Sequence, residues 1–380
     1  MKKILAVVIV MVFVLGLFNG CAAKKSSGSV APIKIGVATA LTGDQALSGM
    51  YQKNGIELAI DQINSKGGLL GRQIQPVYVD DLGTDAGAVN AYNKLTGSGV
   101  VAAIGSILST QNIAISSSVS KAQIPTLVCG SNNKIGQLNN PWMFQSRTND
   151  ALSATVVVKY AVQTLKLKKL AIIHDTDAFG SGAATAATTE MKTLGLTPVV
   201  VTTYNTGDKD FTAAFSRIKQ SGADGILAWS QQTEAGLIMQ QKQSLGISIP
   251  LIGSNSYSDK IGLDLAKSAA NGVYAVADYV PTTPSKTGQA FAKAYKAKYG
   301  IDSDFDSGVG YDALSLIANA IKTSNSADPA KIRSALASTK NFQGALTVFT
   351  FNAQHVGGTG AMVVKIENGV PQVLESVTAN

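Results

Sequence analysis

Three consecutive stretches decide the fold class of this chain: Ile33–Ala40 (IKIGVATA), Gly55–Ile63 (GIELAIDQI) and Ile74–Val79 (IQPVYV). The first is a short, almost unbroken apolar run, which reads as a strand buried on both faces. In the second, Ile56, Ala59, Ile60 and Ile63 recur at steps of 3, 4 and 7, which puts them on one face of a helix. Gly67-Gly68 ends that helix in a turn, and the third stretch is a second strand. A helix between two strands is the connection that parallel strands require.

Outward from this unit the same alternation continues. The patterning predicts a helix near 86–95, a strand over 100–104, a helix from about 109 to 122 and a strand over 126–129, which completes a first doubly wound unit. Asn139-Asn140-Pro141 interrupts the rhythm. It restarts with a helix from about Asp150, and strands follow at 170–174, 198–204, 225–229, 250–252 and 273–277, each separated by a helix. Repeated β-then-α units mean parallel sheets, so the class is α/β with two doubly wound sheets.

Val280 to Ser285, with Pro281 and Pro284, reads as a crossing segment. Leu314, Ile317, Ala318 and Ile321 then share one helix face, and Asp328-Pro329 is an N-cap followed by proline at the first helical position. The tail changes character. Residues 346–351 and 362–366 are apolar or alternate, and Asn368-Gly369 is a hairpin turn before Val370, so the end of the chain is expected to be antiparallel.

The first thirty residues carry a separate message. Lys2 and Lys3 precede an apolar run from Ile4 to Phe18 that ends at Cys21. The run is shorter than the ~20 residues a membrane-spanning helix needs, so a cleaved signal peptide over 1–20 is the expectation and an uncleaved anchor the alternative. Leu17 to Cys21 resembles a bacterial lipobox, with Phe18 in place of the usual leucine. That resemblance implies Cys21 as the lipid-bearing first residue, and the small, polar residues 21–30 read as a flexible tether.

Without residues 1–20 the chain keeps 360 of its 380 residues, more than one core usually serves, and two domains are expected. The formal charge falls from +8 to +6 once Lys2 and Lys3 leave. No run of basic residues interleaves with aromatics, so the footprint of a nucleic-acid groove is missing. The other cysteine, Cys129, has no partner besides Cys21, so the folded body relies on its cores and not on disulfides.

Five segments, in order, resemble the branched-chain amino acid binding proteins of ABC importers: Ile33–Gly43 (IKIGVATALTG), Gly55–Arg72 (GIELAIDQINSKGGLLGR), Val79-Asp80-Asp81, Gly105–Gln111 (GSILSTQ) and Phe211–Asp224 (FTAAFSRIKQSGAD). The resemblance implies a type I periplasmic-binding-protein fold. Its two lobes, 31–149 plus 280–343 and 150–279 plus 344–380, would be joined by three hinge crossings near Asn149, Val280 and Gln343 and close on a small solute. It also implies an extracytoplasmic, lipid-anchored monomer that docks on a permease and needs no cofactor.

In open parallel sheets ligands sit beyond the carboxyl ends of the strands. Ser109 and Thr110 follow the third strand, and the resemblance makes Ser109 the family's carboxylate-binding serine; the alternative is a helix cap. Ser131 and Asn132 follow the fourth strand, where relatives contact the polar head of the amino acid. In the second lobe the resemblance places Asp150 near the ligand ammonium, with an N-cap as the alternative. Phe179 falls where relatives have an aromatic over the ligand, with loop packing as its alternative, and Gln231 aligns with another family aromatic. Asn255 stands where amino-acid binders offer a carboxylate to the ammonium, and Ser48 where branched-chain binders have an aromatic. Two ligand classes therefore stay open: an aliphatic amino acid, and an amide, aromatic carboxylate or other organic acid, taken up for transport or sensed.

Chemistry has little support. His174 and His355 are the only histidines, and no nucleophile elbow, phosphate-binding loop, zinc motif or paired-cysteine metal signature occurs. A hydrolase using Ser109 with His174 would draw its two groups from different lobes.

Overall fold

A computed structural model describes residues 31–378. The expected signal peptide, tether and Cys21 lie outside the described residues. The strands run β1 (Ile33–Thr39), β2 (Ile74–Asp80), β3 (Ala102–Ile104), β4 (Thr126–Val128), β5 (Met143–Gln145), β6 (Leu170–Asp175), β7 (Val200–Tyr204), β8 (Gly225–Trp229), β9 (Leu251–Gly253), β10 (Tyr274–Ala277), β11 (Phe342–Gln343), β12 (Val348–Phe349), β13 (Gly360–Glu367) and β14 (Val370–Thr378).

They form a five-stranded sheet in the order β2-β1-β3-β4-β5 and a seven-stranded sheet in the order β14-β13-β10-β9-β8-β6-β7; β11 and β12 pair separately. The first sheet is parallel throughout. In the second, β7-β6-β8-β9-β10 repeats that order, also in parallel. Both units thus reverse strand order beside their first strand, which opens a crevice at the carboxyl ends.

The strand cores explain the apolar runs. Along β6, Ala171 and Ile173 join one hydrophobic cluster while Leu170 and Ile172 join the cluster on the opposite face. Both faces are buried, which is why the sequence there does not alternate with polar residues. On the first sheet Ile33, Ile35 and Val37 pack against Val309, Ala313 and Ile317 of the helix Phe305–Ser324. That helix lies against the helix Ala46–Asn64, where Tyr311 Oη donates to Gln62 Oε1 at 2.8 Å. Late residues therefore complete the core of the first sheet, and the chain returns to the second sheet with β13 and β14.

The expected tail is present: β13 is antiparallel to β10 and β14, and Asn368 (φ 52°) and Gly369 (φ 77°) make the tight turn. Asp328 caps the helix Pro329–Ala337 as its sequence predicts.

Four expectations need correction. β5 is a fifth strand in the first sheet, too short at three residues to show a period. The helix expected over 109–122 is two helices, Ser109–Ala114 and Ser116–Ala122, interrupted at Ile115. The strand expected over 346–351 shrinks to β12. Asp150 is the first residue of its helix and not the cap, since Asn149 Oδ1 accepts the Leu152 N–H.

Candidate functional site

The carboxyl ends of both sheets meet around a small cavity. Ile107, Leu108 and Ser109 come from the turn after β3, Ser131 from the turn after β4, and Arg147 from the segment after β5. Facing them are Phe179 after β6, Gln231 and Gln232 after β8, and Asn255 and Ser256 after β9. Phe305 and Asp306, at the start of the helix Phe305–Ser324, complete the lining. The walls are mixed: Ile107, Leu108, Phe179 and Phe305 are apolar, and the remainder can hydrogen-bond.

Of the eight residues singled out from the sequence, Ser109, Ser131, Phe179, Gln231 and Asn255 line this cavity. Ser109 is not a helix cap; its Oγ accepts the Asn132 N–H at 3.2 Å. The Ser131 hydroxyl is buried at the cavity, with the Asp150 carboxyl beside it. Phe179 lies in the first turn of the helix Ala178–Thr193, whose cap Asp177 also accepts from Gln231 Nε2 at 2.7 Å. That bond fixes the Gln231 amide at the rim. Asn255 begins a single 3-10 turn after β9.

The other three fall elsewhere. Thr110 lines a second cavity with Asp44, Leu82 and Glu234. Asn132 caps the helix Asn133–Gln137 through its Oδ1, and its amide nitrogen donates across to the Ala178 carbonyl, so it ties the two sides together. Asp150 is buried behind Ser131, whose carbonyl accepts the Asp150 N–H at 2.8 Å. Burial pushes its carboxyl up to about 7, against the pull of the Arg147 charge and the Ser131 hydroxyl.

Arg147, Gln232, Ser256 and Asp306 were not legible as site residues. Arg147 follows β5, the unrecognised strand, so its place at a carboxyl end was hidden. Its guanidinium is held by Asp278 Oδ2, at 3.0 Å from Nε and 2.8 Å from Nη2, and lies 4.2 Å from the centre of the Phe305 ring. Burial raises the Asp278 carboxyl, and Arg147 draws it back. Asp306 is wholly buried, accepts from Gln232 Nε2 at 3.2 Å through Oδ2, and leaves Oδ1 without a partner. Burial and the neighbouring Asp259 push its carboxyl well above the usual range, while the Ser48 hydroxyl, Arg147 and Gln232 pull it down.

The histidines stand apart from this chemistry. His174 Nδ1 lies 2.6 Å from the Asp175 carbonyl oxygen, to which it can only donate, and the Ser109 hydroxyl is engaged by Asn132. His355 stacks on Phe144 with ring centres 4.2 Å apart. Cys129 is buried among core residues, and its thiol is pushed up to about 12 by desolvation.

A family model described as periplasmic binding protein matches residues 32–370. The Leu/Ile/Val-binding protein BraC3 of Rhizobium johnstonii is 30% identical over 305 residues, which are 79% of this chain and 82% of that protein. The branched-chain amino acid transporter substrate binding protein LivJ from Streptococcus pneumoniae, solved in complex with isoleucine, superposes with a TM-score of 0.83 at 27% identity, over 92% of this chain and 99% of LivJ. An ABC-transporter solute binding protein from R. palustris, solved with benzoate, has the same fold: TM-score 0.83 at 22% identity, over 92% of this chain and 97% of that one. A chain whose two parallel sheets aim their carboxyl ends at one shared cavity, and whose residues 32–370 match that family from end to end, belongs to the periplasmic binding protein family, as a type I member of its branched-chain amino acid binding group.

Proposed function

We propose that this protein captures a branched-chain or related aliphatic amino acid outside the cytoplasm and delivers it to the permease of an ABC importer. The observation that carries the choice of solute is the charge balance of the cavity. Arg147 is the one cationic side chain in the lining, and it is already engaged by Asp278. Asp306 lines the same cavity, and Asp150 is buried just behind Ser131. A solute carrying only a carboxylate would add negative charge beside buried acids that already lack the cation they need to ionise. A zwitterion brings its own cation, and an aliphatic side chain suits Ile107, Leu108, Phe179 and Phe305.

In this reading Ser109 and Ser131 hold the solute carboxylate, with Asn132 fixing the turn between them. Residues 31–149 plus 280–343 and 150–279 plus 344–380 act as lobes that rotate about the crossings near Asn149, Val280 and Gln343. The mature protein is a monomer held to the membrane by a lipid on Cys21. Retention of a Cys21→Ser variant in the membrane fraction would refute the anchor.

The test of the solute is thermal unfolding of protein stripped of carried-over ligand by unfolding and refolding. A solute at ~100 times its dissociation constant adds roughly 2.7 kcal/mol of stability. Leucine, isoleucine or valine is expected to raise the melting temperature. A rise with benzoate-like acids alone would replace the amino-acid reading with the aromatic-acid one.

A further inference from the structure

Three carboxylates converge at one edge of the cavity. Asp259 caps the helix Lys260–Ala266 after β9, while Asp304 and Asp306 open the helix Phe305–Ser324. They are 2%, 3% and 0% exposed, and one oxygen of each lies within 4.8 Å of an oxygen of both others. Each is fixed through one oxygen: Asp259 Oδ1 accepts the Ile261 N–H at 2.7 Å, Asp304 Oδ1 the Ser307 N–H at 2.9 Å, and Asp306 Oδ2 the Gln232 amide. The second oxygen of each, Asp259 Oδ2, Asp304 Oδ2 and Asp306 Oδ1, is buried without a partner.

Buried like charges this close cannot all ionise unless a cation joins them. The neighbouring cations are already committed: Lys260 draws on Asp259 but is 2.6 Å from Asp264 at the surface, and Arg147 draws on Asp306 but is bound to Asp278. Of the three acids only Asp306 also lines the solute cavity.

We propose that Asp306, backed by Asp259 and Asp304, receives the ammonium of the bound amino acid. The proposal rests on the amino-acid reading given above. It explains how an amino acid can be held although position 255 is an amide: the charge partner stands on a different element, the start of the helix Phe305–Ser324. It also couples recognition to closure. Asp259 belongs to the seven-stranded sheet, whereas Asp304 and Asp306 ride on a helix packed against the five-stranded one. Without a cation their repulsion opposes the approach of the two sides, and the ammonium removes it.

The experiment is calorimetric titration of stripped wild-type protein and Asp306→Asn with leucine and with 4-methylpentanoic acid, which is leucine without the amino group. The expected result is a loss of at least 100-fold in leucine affinity in D306N and a change under threefold for the des-amino acid. Asp306→Ser, smaller than the native side chain, is read if the amide variant does not fold. Leucine bound equally well by wild type and variant overturns the proposal and leaves the amino-acid reading standing. Wild-type protein that binds only acids without an amino group overturns both. Calcium that stabilises solute-free wild type but not D306N, with leucine affinity unchanged between them, overturns it in favour of a metal.

Discussion

Arg147 shows how much one side chain does at this site. It is 5% exposed, is paired with Asp278 across the segments that follow β5 and β10, and stacks on Phe305. Removing one member of a buried pair strands the other charge, at a cost of about 3–5 kcal/mol. Asp278→Asn should therefore lower stability by that amount in urea unfolding, because it leaves a buried guanidinium that cannot lose its proton. Arg147→Met should cost less, about 1–3 kcal/mol, because the unpaired Asp278 carboxyl, already raised by burial, can take up a proton. A larger loss in Arg147→Met than in Asp278→Asn would mean that Arg147 acts through packing and not through charge. The sequence indicated neither residue. Arg147 was hidden by an unrecognised strand, and Asp306 by its place 160 residues further along the chain, on a helix whose only readable signal was its buried apolar face.

At the scale of elements, the helix Phe305–Ser324 matters most, because it carries Phe305 and Asp306 into the cavity while packing on the helix Ala46–Asn64. Two glycines permit that contact. A Cβ on Gly55 would stand 1.8 Å from the Ser307 carbonyl oxygen, and one on Gly310 would stand 2.2 Å from the Gln52 carbonyl oxygen. Alanine gains about 1 kcal/mol of helix propensity over glycine, but here it meets backbone, which cannot swing aside. Gly55→Ala should destabilise the protein by about 1–3 kcal/mol and weaken solute binding, since the helices must separate. Unchanged stability and affinity would show that this contact does not position Asp306. Most elements were legible from the 3.6-residue and strand patterns, as was the Asn368-Gly369 turn. The layer that places the cavity was not, because the helix–helix contact joins residues about 250 positions apart and leaves no local period. The five residues singled out from the sequence that line the cavity all follow recognised strands. Thr110, Asn132 and Asp150 follow strand or crossing segments too, and only their side-chain directions separate them from the lining.

At the scale of the whole molecule, buried acids tie stability to pH and to the bound state. Asp150 and Asp259 are pushed up to about 7 by burial, and Asp304 and Asp306 are raised by burial and by the charge of Asp259. In the unfolded chain these groups return to about 3.9. Between the two values the folded state holds more protons than the unfolded one, so stability falls as pH rises. Stability from Asp150 and Asp259 is complete below about pH 4 and is lost as pH climbs to about 7, at up to about 1.4 kcal/mol per group and pH unit. His174 and His355 act in the opposite sense, because burial lowers both. Their effect fades above about pH 6.5, the unfolded value, and leaves at most about 0.4 kcal/mol per histidine beyond it. The window from pH 6.5 to 8 is therefore dominated by the acids. Stripped protein should melt at a lower temperature at pH 8 than at pH 6.5, and leucine should flatten that slope, because an ammonium among the carboxylates favours their charged forms. Leucine affinity should accordingly rise across the same interval. A melting temperature of the stripped protein that rises with pH there would mean the carboxylates are already ionised and neutralised inside the folded protein, and closure would then need no charge from the solute.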